Sequence, residues 1–226
     1  MQGASVRRHR IKNIMKTLIR SLVALVSVVS VSFAHCGGCE AKKKASASAS
    51  VGKPAPAFAL KTAAGAEVSL EALKGKVIVL EWVNFGCPFV KKHYSGGHMQ
   101  ALQKEYAEKD VVWMLVSSAN TSHPTYLAPA DLEAKAKEQK AMAQYALVDA
   151  DGAVGKAYGA KTTPHMYVIG KDGVLAYAGA IDSKKSTNAA DIAGSENYVV
   201  AALDAVLAGE EVKTPETKAY GCSVKY

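Results

Sequence analysis

The sequence predicts an α/β domain in which helices flank a central mixed β-sheet and a short hairpin extends the N-terminal end. The first observation is the nearly continuous β-branched and apolar run Lys76–Val83, which is typical of a strand buried on both faces. The second is that strand and helix patterns alternate from this run onward, which favours parallel strands joined by crossover helices. The third is a Lys-Asp-Gly turn between Met166–Gly170 and Val174–Ala180, which predicts an antiparallel pair.

Hydrophobic spacing and turn residues place the other elements. The leading hairpin is expected to pair Ala57–Leu60 with Glu67–Leu70. A helix pattern follows Cys87, and Ser95-Gly96-Gly97 should kink or split it. The remaining segments are expected to be a strand at Val111–Ser117, a polar helix capped by Asp131 and continuing through Gln144, a strand at Ala146–Asp149, helices at Gly152–Tyr158 and Glu196–Leu207, and irregular stretches at 183–195 and 210–226.

A Sec-type signal peptide is predicted over residues 1–34, where a basic start is followed by an apolar run. Ser32 and Ala34 supply small residues at positions −3 and −1 of a cleavage site. The apolar run is shorter than the roughly 20 residues that cross a bilayer, so no membrane span is expected after cleavage. The protein should therefore be periplasmic or secreted, with either Met1 or Met15 as its start.

Three further segments follow the predicted cleavage site. Residues 35–50 contain a Cys-Gly-Gly-Cys motif and then a flexible tether of Lys, Ala and Ser. Residues 51–209 should form the folded domain, and residues 210–226 should form a C-terminal tail that carries Cys222.

The positive charge of the chain lies mainly outside the predicted domain. The whole sequence has a net charge of +8, but residues 51–226 contain 19 basic and 19 acidic residues. All four arginines lie within residues 1–34. A neutral domain without a basic stripe is not expected to bind nucleic acid.

One cysteine stands where the central strand gives way to a helix. Chemistry in α/β sheets is usually found at the carboxyl ends of the strands, and Cys87 follows such an end. A thiol there faces the positive end of the helix dipole and unpaired backbone N–H groups, which favour the thiolate. Lys91 and Lys92 add positive charge one turn later. Cys87 is therefore predicted to be reactive, and an inert buried cysteine is the alternative.

Two short segments carry a resemblance to a known family. They are WVNFGCPF at 82–89, directly after the buried strand, and TTPH at 162–165, far downstream. Over roughly residues 51–208 the chain resembles the redoxin branch of the thioredoxin superfamily, which includes the peroxiredoxin-like alkyl hydroperoxide reductase and thiol-specific antioxidant proteins. The resemblance implies a thioredoxin-like fold, with Cys87 as the nucleophile and Thr163-Pro164 as a cis-proline loop packed against it.

The sequence also departs from the patterns of this superfamily. Thioredoxins use Cys-x-x-Cys, whereas the residue three positions after Cys87 is Val90. Peroxiredoxins have Thr or Ser where this chain has Asn84, and they use an arginine to polarise the peroxide. The predicted domain contains no arginine, and lysine lacks the planar fork of the guanidinium. The usual peroxide-activating set is therefore incomplete.

Glu81 and His165 are further candidates near Cys87. Glu81 interrupts the apolar strand six residues before the cysteine, where thioredoxins carry a buried acid. Burial would raise its pKa and suit it to shuttle the thiol proton, while an outward-facing carboxylate is the alternative. His165 follows the proposed cis-proline and is expected within reach of Cys87, where it could stabilise the thiolate, bind a metal or simply pack.

The three other cysteines offer partners for Cys87. Exported proteins tend to hold cysteines as disulfides, and four cysteines allow three full pairings. The favoured pairing is Cys36–Cys39 together with Cys87–Cys222, which makes Cys222 the residue that resolves oxidised Cys87. Cys36 and Cys39 could instead form a second redox pair or hold a thiophilic metal.

These features predict an exported thiol oxidoreductase of antioxidant type that uses Cys87 as nucleophile, without an organic cofactor. Its substrate would be a protein disulfide or a hydroperoxide, and its reductant a partner thiol. The alternative is a copper-binding or metal-delivery protein that uses Cys87 and His165. A non-catalytic binding module is the third hypothesis, and the sequence leaves the oligomeric state open.

Overall fold

The computed structural model describes residues 48–226, and its centre is a five-stranded mixed sheet. Three adjacent strands pair parallel to one another, and the fourth strand in spatial order is antiparallel to both of its neighbours. The spatial order across the sheet is β5 (Tyr145–Val148), β4 (Val111–Ser117), β3 (Val77–Trp82), β7 (His165–Ile169) and β8 (Leu175–Gly179). The predicted order of parallel strands closed by an antiparallel hairpin is confirmed.

Within residues 48–226, two small sheets and five α-helices surround this centre. The leading hairpin pairs β1 (Ala59–Lys61) with β2 (Glu67–Ser69), as predicted to within two residues. A second two-stranded sheet pairs β6 (Thr162–Thr163) with β9 (Cys222–Ser223). The helices are α1 (Pro88–Ser95), α2 (His98–Glu108), α3 (Pro129–Glu138), α4 (Ala153–Tyr158) and α5 (Tyr198–Ala208).

The predicted interruption after α1 is confirmed. Gly96 ends α1, and Gly97 takes a left-handed conformation with φ 76° immediately before α2. Glycine tolerates this conformation because it has no Cβ. The break turns the chain, so that α1 continues the loop after β3 while α2 packs along β4.

Two predictions for irregular and helical segments are wrong. Helix α3 begins after Ala128, with Pro129 in its first turn, so Asp131 does not cap it. A proline fits this position because its fixed φ suits a helix and it has no N–H to leave unpaired. The helix ends at Glu138 rather than Gln144, and Lys140 then has φ 54°. The tail is also not wholly irregular, because Cys222–Ser223 forms β9.

The central strand separates the core into two hydrophobic clusters on opposite faces of the sheet. All six residues of β3 are buried, and its side chains alternate between the faces. The first cluster lies beneath α1, α2 and α5, and it contains Val79, Val83, Cys87, Tyr94, Trp113 and Leu203. The second lies beneath α4 and the leading hairpin, and it contains Ile78, Leu80, Trp82, Phe58 and Tyr158. Cys87 is therefore seated in the first cluster.

The segment after α5 packs closely along β8. Backbone hydrogen bonds join Ala178 N–H to the Pro215 carbonyl (3.0 Å) and Thr217 N–H to the Ala178 carbonyl (3.2 Å). The Thr217 hydroxyl also accepts from Ala180 N–H at 2.8 Å. Gly179 makes this approach feasible, because a Cβ at that position would collide with the Thr217 hydroxyl and backbone.

Within residues 48–226 no helix is both long enough and apolar enough to cross a membrane. The predicted signal peptide, Cys36 and Cys39 lie outside the described residues. At the start of the described segment, Ala49 N–H already donates to the Ala157 carbonyl (2.8 Å), so contact with the domain begins two residues before the predicted boundary at Val51.

Replacing Gly179 by alanine should lower the free energy of unfolding by about 1–3 kcal/mol, because the added methyl group overpacks the contact with Thr217. Gly194→Ala is the matched control, since a Cβ there would have no neighbour within 4 Å. Its effect should stay within about 0.5 kcal/mol. Urea denaturation measures both. Equal stability of the two variants would contradict the described packing of the tail on β8.

Candidate active site

The loop between β3 and α1 presents Cys87 at the start of the helix. Cys87 is the N-cap residue of α1, with φ −72° and ψ 127°, and Pro88 occupies the first helical position. The Asn84 side chain accepts a hydrogen bond from Gly86 N–H (2.8 Å), and its carbonyl accepts from Cys87 N–H (2.9 Å). Asn84 thus stabilises the turn that positions the Cys87 thiol, and its side-chain oxygen is occupied by a hydrogen bond within that turn.

The loop before β7 lies directly against this thiol. The peptide bond between Thr163 and Pro164 is cis, as the resemblance implies. The Thr163 carbonyl oxygen lies 3.0 Å from Cys87 Sγ and can accept the thiol proton as a hydrogen bond. The sequence-predicted residues Cys87 and Thr163 are therefore brought into contact although 76 residues separate them.

Cys222, in the C-terminal tail, lies beside Cys87 and the cis-proline loop. In the pairing of β6 with β9, Cys222 lies opposite Thr163. The two sulfur atoms, Cys87 Sγ and Cys222 Sγ, are 2.9 Å apart, and both cysteines are free thiols. A disulfide has a sulfur–sulfur distance of about 2.05 Å, so a movement of less than about 1 Å would join them.

The chain on the C-terminal side of Cys222 is also fixed. Val224 N–H donates to the Lys161 carbonyl (3.0 Å), and Asn120 N–H donates to the Lys225 carbonyl (2.7 Å). The Tyr226 hydroxyl donates to the Ala160 carbonyl at 2.7 Å. Cys222 is therefore held in place by ordered contacts rather than carried on a loose end.

Close to Cys222 the backbone passes very near the cis-proline loop. Gly221 has φ 142°, and a Cβ there would collide with the Thr163 carbonyl. Only glycine fits both the conformation and the space. The sequence Gly-Cys in the tail is thus required by the approach of β9 to β6.

The two thiols differ in acidity. Burial of Cys87, which is 3% exposed, would raise its pKa. Hydrogen bonds to the thiolate, first from the Cys222 side chain and backbone and then from Val90 N–H, outweigh burial, and the pKa of Cys87 falls below its usual value. Burial, the hydrogen bond to Cys87 and the Cys87 charge raise the pKa of Cys222 to about 11. Cys87 is therefore the thiolate of the pair.

Glu81 is fully buried in the central strand and does not face outward. Its carboxylate accepts hydrogen bonds from Trp113 Nε1 (2.8 Å), from the Tyr94 hydroxyl (3.1 Å to each oxygen) and from Gln103 Nε2 (3.3 Å). Burial raises the pKa of Glu81 to about 7 and exceeds the lowering by these hydrogen bonds. Its side chain lies on the face of the sheet that carries the first cluster, to which Cys87 belongs.

His165 makes different contacts from those expected. Its Nδ1 accepts from Lys161 N–H (3.2 Å) and lies 3.1 Å from the Tyr167 hydroxyl. The two rings are in contact, with centroids 4.6 Å apart and planes tilted by 37°. Tyr167 belongs to the second cluster, on the other face of the sheet from Cys87. Burial lowers the pKa of His165 to about 4, so the ring is neutral.

The described residues provide little support for a metal centre. Between residues 48 and 226 no group of three or more His, Cys, Asp or Glu side chains is arranged to hold a metal ion. The predicted ligands Cys36 and Cys39 lie outside this range.

The sequence interpretation missed the partners of Glu81. Trp113 lies in the predicted strand Val111–Ser117, and its indole N–H donates to the carboxylate. Tyr94 and Gln103 lie on α1 and α2, and Gln103 Nε2 also donates to the Tyr94 hydroxyl at 3.0 Å. The available signal was the buried acid itself, because a carboxylate in a central strand needs donors from the helices that cover it.

Comparison with known proteins places the chain among proteins of the same fold. A hypothetical protein of Sinorhizobium meliloti is 26% identical, with 80% of this chain and 97% of that chain covered and a TM-score of 0.66. An uncharacterized conserved protein of Geobacillus kaustophilus is 29% identical, with coverages of 78% and 92% and a TM-score of 0.67. None of the curated proteins matches the chain.

A third structure and a family model define the relationship further. A protein of Bacteroides thetaiotaomicron, provisionally named as a protein disulfide isomerase, is 18% identical, with coverages of 71% and 91% and a TM-score of 0.51, and it supports the fold alone. The model of the AhpC/TSA family matches residues 51–178, which include Glu81, Asn84, Cys87 and the cis-proline loop. The chain has a thioredoxin-like fold and belongs to the AhpC/TSA family.

Proposed function

We propose that the protein is a thiol–disulfide oxidoreductase whose working pair is Cys87 and Cys222. The observation that carries this proposal is the 2.9 Å distance between two free sulfur atoms delivered by separate parts of the chain. The pair takes the place of a Cys-x-x-Cys motif, with the second thiol supplied by the tail rather than by the next turn of α1. AhpC/TSA family membership supports thiol chemistry at this position.

The first step uses the thiolate of Cys87. Its sulfur attacks one sulfur of a partner disulfide, the partner disulfide bond breaks, and a mixed disulfide forms on Cys87. The released partner thiolate takes up a proton. The lowered pKa of Cys87 and its place at the start of α1 support this role, because both increase the fraction of thiolate at neutral pH.

The second step uses Cys222. Once deprotonated, it attacks Cys87 Sγ, forms the Cys87–Cys222 disulfide and releases the second partner sulfur as a thiolate. The two cysteines lose two electrons and the partner disulfide gains them. The raised pKa of Cys222 calls for a proton acceptor, and we assign this role to Glu81, whose carboxyl has a pKa near 7.

Two observations favour a disulfide over a hydroperoxide as the substrate. No arginine occurs in residues 48–226, so a guanidinium from this part of the chain cannot polarise a peroxide. The Asn84 side chain, at the position of the peroxiredoxin Thr or Ser, accepts from Gly86 N–H and shapes the turn. The partner of the pair would accordingly be a protein or small molecule that carries a disulfide or thiols.

The proposed site of action is the periplasm or the extracellular space. The basic and apolar pattern of residues 1–34 supports export. Such compartments allow disulfides to form and persist, which suits a dithiol that alternates with a disulfide.

Replacing either cysteine should separate the two steps. Cys87→Ser should lower steady-state reduction of a model disulfide by at least about 100-fold, since the nucleophile is lost. Cys222→Ser should retain the first step, accumulate a mixed disulfide on Cys87 and slow turnover by about tenfold or more. Turnover is followed by thiol release, and the adduct by mass spectrometry.

Ser223→Ala is the matched control for the cysteine variants, because Ser223 is the exposed neighbour of Cys222 in β9. It should retain turnover within about twofold. Full disulfide reductase activity in Cys87→Ser would contradict the proposed function.

Glu81→Gln should remove a pH dependence of stability. The pKa of Glu81 is about 7 in the folded protein and near 4.5 when unfolded, so the folded state holds more protons between these values. Relative to Glu81→Gln, the free energy of unfolding of the wild type should therefore fall by about 3 kcal/mol as pH rises from about 4.5 to 7. Buried neutral His93 and His165, whose pKa values are near 4, act in the opposite direction in both proteins, so the difference between the two proteins is the quantity to measure. Urea denaturation of both at pH 5 and pH 8 should show most of this relative fall.

The same variant should test the proton transfer. Release of the second partner thiol at pH 7 should slow about tenfold or more in Glu81→Gln. Glu108→Gln, on the exposed end of α2, is the control and should leave both the stability profile and the rate unchanged. An unchanged release rate in Glu81→Gln would remove Glu81 from the mechanism.

A further inference from the structure

A buried ion pair lies between the active-site helix and the segment after β8. Asp182 is 2% exposed, and its Oδ2 lies 2.8 Å from Nζ of Lys92, whose side chain is also fully buried. Lys92 Nζ donates a second hydrogen bond to the Lys184 carbonyl (2.8 Å), and Lys184 N–H donates to Asp182 Oδ1 (3.0 Å). The two opposite charges are thus paired and hydrogen-bonded away from water, as buried charges require.

Tyr220 connects this ion pair to the tail. Its hydroxyl donates a short hydrogen bond to Asp182 Oδ1, and its ring lies 5.8 Å from Lys92 Nζ. The ring also packs edge-on against Phe89 of α1, with centroids 5.7 Å apart. Tyr220 is two residues before Cys222 and Lys92 is five residues after Cys87. Asp182 therefore bridges the two segments that carry the sulfur atoms.

We propose that Lys92, Asp182 and Tyr220, together called the Asp182 lock, are positioning residues that set the reduction potential of the Cys87–Cys222 disulfide by holding Cys222 against Cys87. This inference rests on the proposed function, because it concerns the redox pair named there. None of the three side chains forms a hydrogen bond with either sulfur atom. The lock acts through the tail.

The physical basis is effective concentration. Closing the disulfide is an intramolecular step, so its equilibrium depends on how often Cys222 lies within bonding distance of Cys87. The strand pairing that carries Cys222 is only two residues long. Contacts of Val224, Lys225 and Tyr226 hold the chain after Cys222, and Tyr220 holds the chain before it at a distance of two residues.

The charges of Lys92 and Asp182 compensate each other, and the histidines near them are neutral. His93 Nε2 lies 3.7 Å from Asp182 Oδ2, and burial lowers the pKa of His93 to about 4, so this ring is neutral. The neighbouring His98 ring stands 5.6 Å from His93, and burial lowers its pKa as well. The Ser195 hydroxyl adds one contact with Asp182 Oδ2 at 3.4 Å. The Lys92–Asp182 pair can thus persist when the Tyr220 hydroxyl is removed.

The test equilibrates the full chain with reduced and oxidised glutathione and measures the Cys87–Cys222 disulfide by acid quenching, alkylation and peptide mass spectrometry. In this exchange the two thiols pass two electrons to glutathione disulfide and yield two molecules of glutathione. Tyr220→Phe should lower the equilibrium constant for disulfide formation about tenfold, which makes the reduction potential about 30 mV less negative. Tyr220→Leu should lower it further, because the contact with Phe89 is also lost.

The matched control is Tyr158→Phe. Tyr158 is a buried tyrosine of the second cluster whose hydroxyl donates to the Pro56 carbonyl at 2.8 Å, on the opposite face of the sheet. Its equilibrium with glutathione should stay within about twofold of the wild type. A second readout is the pH dependence of Cys87 alkylation, which should move to higher pH in Tyr220→Phe because hydrogen bonds from Cys222 to the thiolate are weakened.

The outcomes separate the two proposals. If the wild type forms no Cys87–Cys222 disulfide at any glutathione ratio, the proposed function fails and the lock with it. If the wild type forms the disulfide but Tyr220→Phe has the same equilibrium constant, only the lock is contradicted. An equal shift in Tyr220→Phe and Tyr158→Phe would also contradict the lock, since general loosening would then account for the effect.

Discussion

The pairing of Cys222–Ser223 with Thr162–Thr163 is the constraint on which the candidate site depends. It places the Cys222 thiol beside the thiol at the start of α1, and the Thr163 carbonyl of the cis-proline loop contacts Cys87 Sγ. Gly221 permits the approach because a larger residue would meet the Thr163 carbonyl. Without this pairing, residues 48–226 would hold no second thiol beside Cys87.

The same arrangement explains why one cysteine is a thiolate and the other a protonated thiol. Cys87 accepts the hydrogen bonds that stabilise a thiolate, and Cys222 donates some of them. Stabilising one thiolate makes ionisation of its neighbour less favourable, so Cys222 stays protonated at neutral pH. A buried carboxyl group with a pKa near 7 lies on the same face of the sheet. Both the network around Glu81 and the Asp182 lock contact α1, through Tyr94 and Lys92 respectively.

Much of the fold was predictable because local signals agreed with it. The run Lys76–Val83 has the composition of a doubly buried strand, and Gly96-Gly97 can end one helix and begin another. The position of Cys87 at the start of α1 followed from its place after that strand. The position of Cys222 opposite Thr163 did not follow, because pairing of two-residue strands that are 59 positions apart leaves no periodicity to detect. The helix start at Pro129 was missed because Asp131 is also a common capping residue.

The central claim is that Cys87 and Cys222 exchange between dithiol and disulfide. The most direct measurement is mass-spectrometric mapping of disulfides in the wild-type protein, before and after treatment with one equivalent of glutathione disulfide. The account predicts that one new link, between Cys87 and Cys222, appears and disappears with the redox state. A Cys87 that becomes linked to Cys36 or Cys39, or that remains bound to glutathione while Cys222 stays a free thiol, would contradict it.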